Sequence, residues 1–242
     1  MKRFERPRTT MRLLVVGKTG TGKSTRVKEA LRAWQALGVR IVAVDVCDEY
    51  SKHGRPRHGL TSEGTLQNRV TAIELARNTD LIKDARLSLA VVPGNGSEAA
   101  LDDPRAMART ALFVMNLVAG ARRPTVIVFD EIGRWTNSSA GPECHAAGVR
   151  LASFASADRK NGLAGVFVSQ CASQIPSDVR RQCDEMWIFL QDYQADLDAL
   201  SERIGKERAA AVSRLPQFEF EVWRDATHNT RPQLRAIPGE KS

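Results

Sequence analysis

The chain has 242 residues, 42% apolar and 26% charged, and Lys and Arg outnumber Asp and Glu by 36 to 28 for a net charge of +8. That length sustains a proper core, and the composition is ordinary for a globular protein. No apolar run reaches the length of a membrane-spanning helix, and the basic N-terminus MKRFERPRTT lacks the apolar centre of a signal peptide.

The positive excess either favours a polyanionic partner or serves solubility alone. Cys47, Cys144, Cys171 and Cys183 form no CxxC pair and fit no zinc template. They point to a reduced, intracellular setting.

In chain order, short apolar runs alternate with segments of helical spacing. This is the pattern of an α/β fold whose mainly parallel sheet is flanked by helices. After a basic arm at residues 1–10, Met11–Val16 reads as the first strand. Lys23–Leu37 follows as a helix with Val27, Ala30, Leu31, Trp34 and Leu37 at helical spacing, ended by Gly38. Val39–Val46 is the second strand, and a loop over Ser51–Gly64, SKHGRPRHGLTSEG, comes after it.

Leu87–Val92 reads as the third strand, Asp103–Ala119 as a helix with Pro104 near its start, and Thr125–Asp130 as the fourth strand. Glu143–Lys160 is a helix and Gly165–Ser169 the fifth strand. All five strands are nearly continuous apolar runs, as expected of strands covered on both faces. Met186–Leu190 is a further short strand. Leu197, Leu200, Ile204, Val212 and Leu215 mark an amphipathic helix interrupted at Gly205, and Phe218–Trp223 is a last strand. The tail at 225–242 is polar, and one domain over 11–224 accounts for the rest.

The chemistry starts at GKTGTGKS, residues 17–24, which fits G-x-x-x-x-G-K-[ST] between a strand and a helix. The glycines Gly17, Gly20 and Gly22 let the backbone bend so that the N–H groups of Lys18, Thr19, Thr21 and their neighbours point at phosphate oxygens. The N-terminal end of the next helix, at Ser24 and Thr25, faces the same anion. Lys23 reaches the β- and γ-phosphates of ATP, and the Ser24 hydroxyl is a ligand for Mg²⁺.

The run TVIVFDE delivers Asp130 to the end of an apolar strand, where it holds the Mg²⁺ shell beside Ser24. Glu131 follows as the group that polarises a water for attack on the γ-phosphate. The segment RKNGLAGVFVSQ ends another buried strand on Gln170. If that strand lies between those of the P-loop and Asp130, Gln170 touches both the water and the γ-phosphate and reports the third phosphate. Otherwise it caps the strand. Arg159 is a candidate for entering a neighbour's site in a ring, or else a charge complementing a helix C-terminus. Arg150 lies on the same helix, and Arg180 and Arg181 are rivals.

Together, GKTGTGKS, VDVCDEY, VIVFDE and RKNGLAGVFVSQ resemble the FtsK/HerA superfamily of ring-forming DNA-pumping ATPases. Asp45, Glu49 and Tyr50 match the acidic motif after the second strand of HerA-like members. The resemblance runs from about Met11 to Leu190, and the compact size is similar to that of the genome-packaging ATPases of tailless, membrane-containing viruses and poxviruses. It implies a three-layer P-loop NTPase fold of the RecA/ASCE type over 11–224. It also implies a homo-oligomeric ring, a hexamer, that moves double-stranded DNA, with a capsid or virion-vertex protein as docking partner. The location implied is the host cytoplasm or the virion.

Residue-level support for DNA is the loop cluster Lys52, His53, Arg55, Arg57 and His58 and the pair Arg122-Arg123, which suit phosphate contacts or a solvated surface equally. Three alternatives stand beside the motor. One is a filamentous-phage assembly or secretion ATPase, and another a nucleoside or nucleotide kinase, which needs an acceptor site and an arginine-rich lid. The third is a non-hydrolysing scaffold, disfavoured by the set Lys23, Ser24, Asp130 and Glu131.

Overall fold

The computed structural model describes residues 7–8, 11–50, 68–83, 87–121 and 124–225. The basic loop over 51–64, the pair Arg122-Arg123, and nearly all of the arm and the polar tail lie outside those residues.

One eight-stranded sheet organises the chain. Its strands are β1 (Arg12–Val16), β2 (Ile41–Val44), β3 (Asn68–Thr71), β4 (Leu89–Val92), β5 (Thr125–Phe129), β6 (Leu163–Ser169), β7 (Glu185–Phe189) and β8 (Phe220–Arg224). The helices among the described residues are α1 (Lys23–Ala36), α2 (Ala72–Arg77), α3 (Asp80–Lys83), α4 (Glu98–Asp102) and α5 (Pro104–Ala121). They continue as α6 (Ile132–Trp135), α7 (Pro142–Ala157), α8 (Ser177–Gln182), α9 (Gln194–Ile204) and α10 (Lys206–Val212).

The sheet order is β3-β4-β2-β5-β6-β1-β7-β8, parallel throughout except for the antiparallel pair β7–β8. β6 therefore lies between β1 and β5, the arrangement that Gln170 needs. In a parallel sheet the carboxyl ends all open on one edge, where ligands bind in such folds.

Alternation along each strand divides the core into two layers. Leu13, Val15, Ile41, Ala43, Val126 and Val128 pack on one face with Val27, Leu31 and Trp34 of α1. Leu14, Val16, Val42, Val44, Ile127 and Phe129 pack on the other with Met107, Ala111 and Val114 of α5 and Leu151 and Phe154 of α7. The result is the three-layer architecture expected. Phe129 stacks on Phe167 at 5.6 Å between centroids and meets Phe154 edge-on at 5.0 Å, tying β5 to β6 beneath their carboxyl ends.

Buried Arg12 joins α7 to β6. Its guanidinium donates to the carbonyls of Phe154 at 2.9 Å, Ala155 at 3.0 Å and Leu163 at 2.6 Å. The first two are orphan carbonyls of a helix end, which a cation satisfies well.

Strand and helix limits agree with the sequence reading to within a few residues. Gly205, at φ 84, separates α9 from α10, so the one interrupted helix is two. The short elements β3, α2, α3, α4, α6 and α8 have no counterpart in the sequence reading. With four to six residues each, they are too brief to display a period.

Candidate active site

The chain leaves β1 at Gly17 and turns through Gly20 (φ 78) and Gly22 (φ 97) into α1. Gly17 lies against Phe189 at the end of β7, so closely that a Cβ there would run into the Phe189 side chain. A second strand thus fixes the loop. The Lys18 N–H donates to the Leu190 carbonyl at 3.0 Å, and the Lys18 ammonium meets Asp192 at 2.7 Å. Inside the loop, the Thr21 hydroxyl donates to the Lys18 carbonyl at 2.8 Å. These ties hold the turn in a fixed shape, as an anion cradle made of backbone amides requires.

Lys23 is buried, at 6% exposure, and its ammonium donates to the carbonyls of Gly17 and, at 3.0 Å, Lys18. Burial lowers its pKa, and the negative charges of Glu131, Asp130 and Glu49 offset part of that. Ser24 is half-buried and Thr25 exposed in the first turn of α1. That turn carries no acidic residue to compete with an anion.

Asp130 follows β5 and is 2% exposed. Its Oδ2 has no hydrogen-bond partner among the described residues. Burial raises its pKa well above the usual carboxylate range, with Asp45, Glu131 and Glu49 adding to the shift. Such an acid is stabilised in its charged form by a cation. Among the described residues no group of three or more His, Cys, Asp or Glu could hold a metal. The donor set instead suits Mg²⁺, which binds through one or two protein oxygens and otherwise through phosphates and water.

Glu131 occupies the left-handed region at φ 40 and ψ 53 and caps α6. This conformation is uncommon for a residue with a long side chain. Burial raises its pKa, while Lys23, hydrogen bonds to Gln170, and Arg134 pull it back. Gln170, at the end of β6, also accepts the Thr19 hydroxyl on its Oε1 at 2.9 Å. The Gln170 carbonyl receives the Gln191 amide at 2.7 Å. Gln170 is therefore bonded both to the phosphate loop and to the segment after β7, and it lies beside the Glu131 carboxylate, whose pKa it lowers.

Of the other residues named from sequence, Asp45 accepts the backbone N–H groups of Glu49 at 2.8 Å and Tyr50 at 3.0 Å, which shapes the turn after β2. Glu49 and Tyr50 stand within the electrostatic reach of Asp130, and the Tyr50 phenol is buried. Arg159 lies in a 3₁₀ turn, Asp158–Asn161, between α7 and β6. Arg150 bonds Asp158 at 2.8 Å within the same chain. Arg180 is buried, donating to the Ala172 and Ile175 carbonyls, so its guanidinium serves the loop before α8. Arg181 is exposed.

Sequence reasoning missed Cys47, Arg134, Asp192 and Gln217. The Cys47 thiol accepts from the Arg134 guanidinium at 3.8 Å and stands beside Asp130, and burial with the charges of Asp130 and Glu131 pushes its pKa up to about 12. Gln217 donates to the Gly20 carbonyl at 3.2 Å. Cys47 sits inside VDVCDEY without being one of the residues that carry its match, and the other three lie in none of the quoted motifs. They reach the loop only through the sheet order, which a linear pattern does not display.

A family model described as the AAA ATPase domain matches residues 1–141. A search of curated proteins gives no match. Several solved structures share the fold. One is the genome packaging NTPase B204 from Sulfolobus turreted icosahedral virus 2 in complex with ATP-gammaS, with a TM-score of 0.62 at 18% identity over 95% of this chain and 99% of that one. VirB4 of Thermoanaerobacter pseudethanolicus gives 0.59 at 13% identity, covering 94% and 89%. The bacterial conjugative coupling protein TrwB gives 0.57 at 15% identity, covering 95% and 86%. At these identities the likeness is one of fold.

Proposed function

The chain belongs to the AAA ATPase domain family, and we propose that its ATPase drives the movement of double-stranded DNA, as the subunit of a ring-shaped genome-packaging motor. The observation that carries this reading is the bridge made by Gln170. Its side-chain oxygen takes the Thr19 hydroxyl of the phosphate loop at 2.9 Å, and it stands close enough to Glu131, across neighbouring strands, to pull that carboxyl's pKa down. A residue so placed senses the third phosphate and passes its loss to the segment after β7, the kind of linkage by which a γ-phosphate biases a mechanical element.

In this reading residues 17–25 cradle the triphosphate of ATP through backbone amides, and Lys23 turns from the loop carbonyls to the β- and γ-phosphates. Ser24 and Asp130 are the residues that would hold Mg²⁺, whose charge neutralises phosphate oxygens. The orphaned Oδ2 of Asp130 supports that assignment. Glu131 orients a water and takes its proton, and Arg159 acts from one subunit on the site of the next.

Net charge supports a polyanionic partner, since a +8 chain concentrates a phosphate backbone. The ring is a hexamer acting in a host cytoplasm or on a virion, docked by a capsid or vertex protein. A conjugative or secretion-type ATPase is the second reading, favoured by the fold shared with VirB4 and TrwB. No helix of the described residues is long and apolar enough to cross a membrane.

The test is ATP turnover with and without long duplex DNA, together with the assembled mass in the presence of nucleotide. Stimulation of several-fold and a closed ring are expected. A monomer indifferent to DNA, or turnover dependent on a small phosphate acceptor, would overturn the motor.

A further inference from the structure

We infer that Phe218 is the platform on which the purine base of the nucleotide stacks. This rests on reading the loop at 17–25 as the triphosphate site and adds the part of the ligand that the loop leaves unaddressed. A phosphate cradle made of amides binds the triphosphate tail alone, so the base must find its own surface within a nucleoside's length of the loop.

Phe218 meets that requirement by position. Its Cδ1 lies 3.2 Å from where a Cβ on Gly22 would stand, directly beside the residue that precedes Lys23. The next residue back, Gln217, holds the segment to the loop through its bond to the Gly20 carbonyl. The aromatic therefore moves with the cradle.

Its environment also singles it out. The neighbouring aromatics are used in packing: Phe189 stacks on Phe220 at 4.9 Å, and the Arg26 guanidinium covers the Phe220 ring at 5.2 Å. Phe218 is instead 66% exposed. A second, independent feature is its backbone. The Glu219 N–H donates to the Pro216 carbonyl at 3.2 Å, closing a four-residue turn with Phe218 third at φ 68. That position normally selects Gly or Asn, because a side chain there is strained. An exposed phenylalanine held in a strained turn against a ligand loop is neither packing nor a favoured turn residue. Strain of this kind concentrates where a ligand is clamped.

The exposed face offers stacking to any purine, since every base presents a π-surface. Calorimetric titration of the full chain with ATP and, separately, with inorganic tripolyphosphate tests this directly. Phe218→Ala is expected to weaken ATP about tenfold, the usual size of a lost base–aromatic stack, and to leave tripolyphosphate unchanged. Phe218→Trp should retain ATP affinity. Phe218→Gly suits the turn's positive φ, so it should match Phe218→Ala and separate stacking from turn geometry.

Equal losses for ATP and tripolyphosphate would assign Phe218 to shaping the loop and overturn the platform. So would an unchanged ATP affinity, or a tenfold loss carried instead by Tyr193→Ala, at the other exposed aromatic among the described residues. Failure of the parent chain to bind either ligand would remove the triphosphate site itself, a result distinct from all of these.

Discussion

At the centre of the sheet every residue of β1, β5 and β6 is buried, whereas Asn68 and Arg69 of β3, at one edge, remain partly exposed. The two regions are held by different forces. The centre is tied by ring packing among Phe129, Phe154 and Phe167 and by Arg12 satisfying buried carbonyls. The edge depends on short-range polar contacts, such as the Arg69–Asp48 pair at 2.9 Å and the cap of α2 by Thr71. Long-range apolar packing can hold chemical groups from distant parts of the sequence in register. A cap such as that of Thr71 holds only its own turn, and the Arg69–Asp48 pair ties β3 only to the turn after β2. It follows that damage at the centre, where β1, β5 and β6 lead into the phosphate loop, Asp130 and Gln170, should be large.

Glu131→Gln should show the largest effect. If this carboxylate takes the proton of the attacking water, turnover falls by about 10²- to 10⁴-fold while ATP affinity stays nearly unchanged. Single-turnover hydrolysis alongside equilibrium binding separates the two. Normal turnover in the variant would move the base elsewhere and leave the Gln170 contact as scaffolding.

Phe129→Ala should come next. Phe129 is fully buried under Asp130 and packs with three other rings, those of Trp135, Phe154 and Phe167, so its removal leaves a cavity and costs about 3–5 kcal/mol of folding stability. Urea unfolding measures the loss. A cost below about 1 kcal/mol would mean that the centre relaxes as readily as the edge, and the contrast between the regions would vanish.

The same contrast explains what was legible in the sequence. RLLVV, TVIVF and LAGVFVS are nearly continuous apolar runs because both faces are covered, so their strands and the groups at their ends, Asp130 and Gln170, were readable. GKTGTGKS was readable because three glycines and a lysine at fixed spacing answer one local geometric demand. NRVT at β3 has no such signature, since an edge strand of four residues needs neither alternation nor an apolar run. Asp192, Cys47 and Gln217 were invisible for another reason. They reach the loop and the acids through strand order: nothing in the local sequence marks Asp192 or Gln217, and Cys47 sits in VDVCDEY without being one of the residues that carry its match.

The smallest expected effect lies at that edge. The Thr71 hydroxyl accepts the Glu74 N–H at 3.1 Å and donates to the Glu74 carboxylate at 2.9 Å, while the Thr71 N–H donates to the same carboxylate at 2.7 Å. Thr71→Ala should cost about 1 kcal/mol at neutral pH, as lost caps do. Those hydrogen bonds from Thr71 hold the Glu74 carboxyl below its ordinary value of 4.5. A carboxylate whose folded pKa lies under the unfolded one adds stability that is complete above the unfolded value. The contribution drains away as the pH falls through the folded one. Thr71→Ala keeps the larger cause, the Thr71 N–H bond, and removes only the hydroxyl one. The gap between parent and variant should therefore be widest near neutrality and narrow in part below about pH 4. Urea unfolding at both pH values reads this out. A gap independent of pH would assign the whole cost to the bond with the Glu74 N–H. A gap as large as that of Phe129→Ala would erase the distinction between the polar edge and the packed centre.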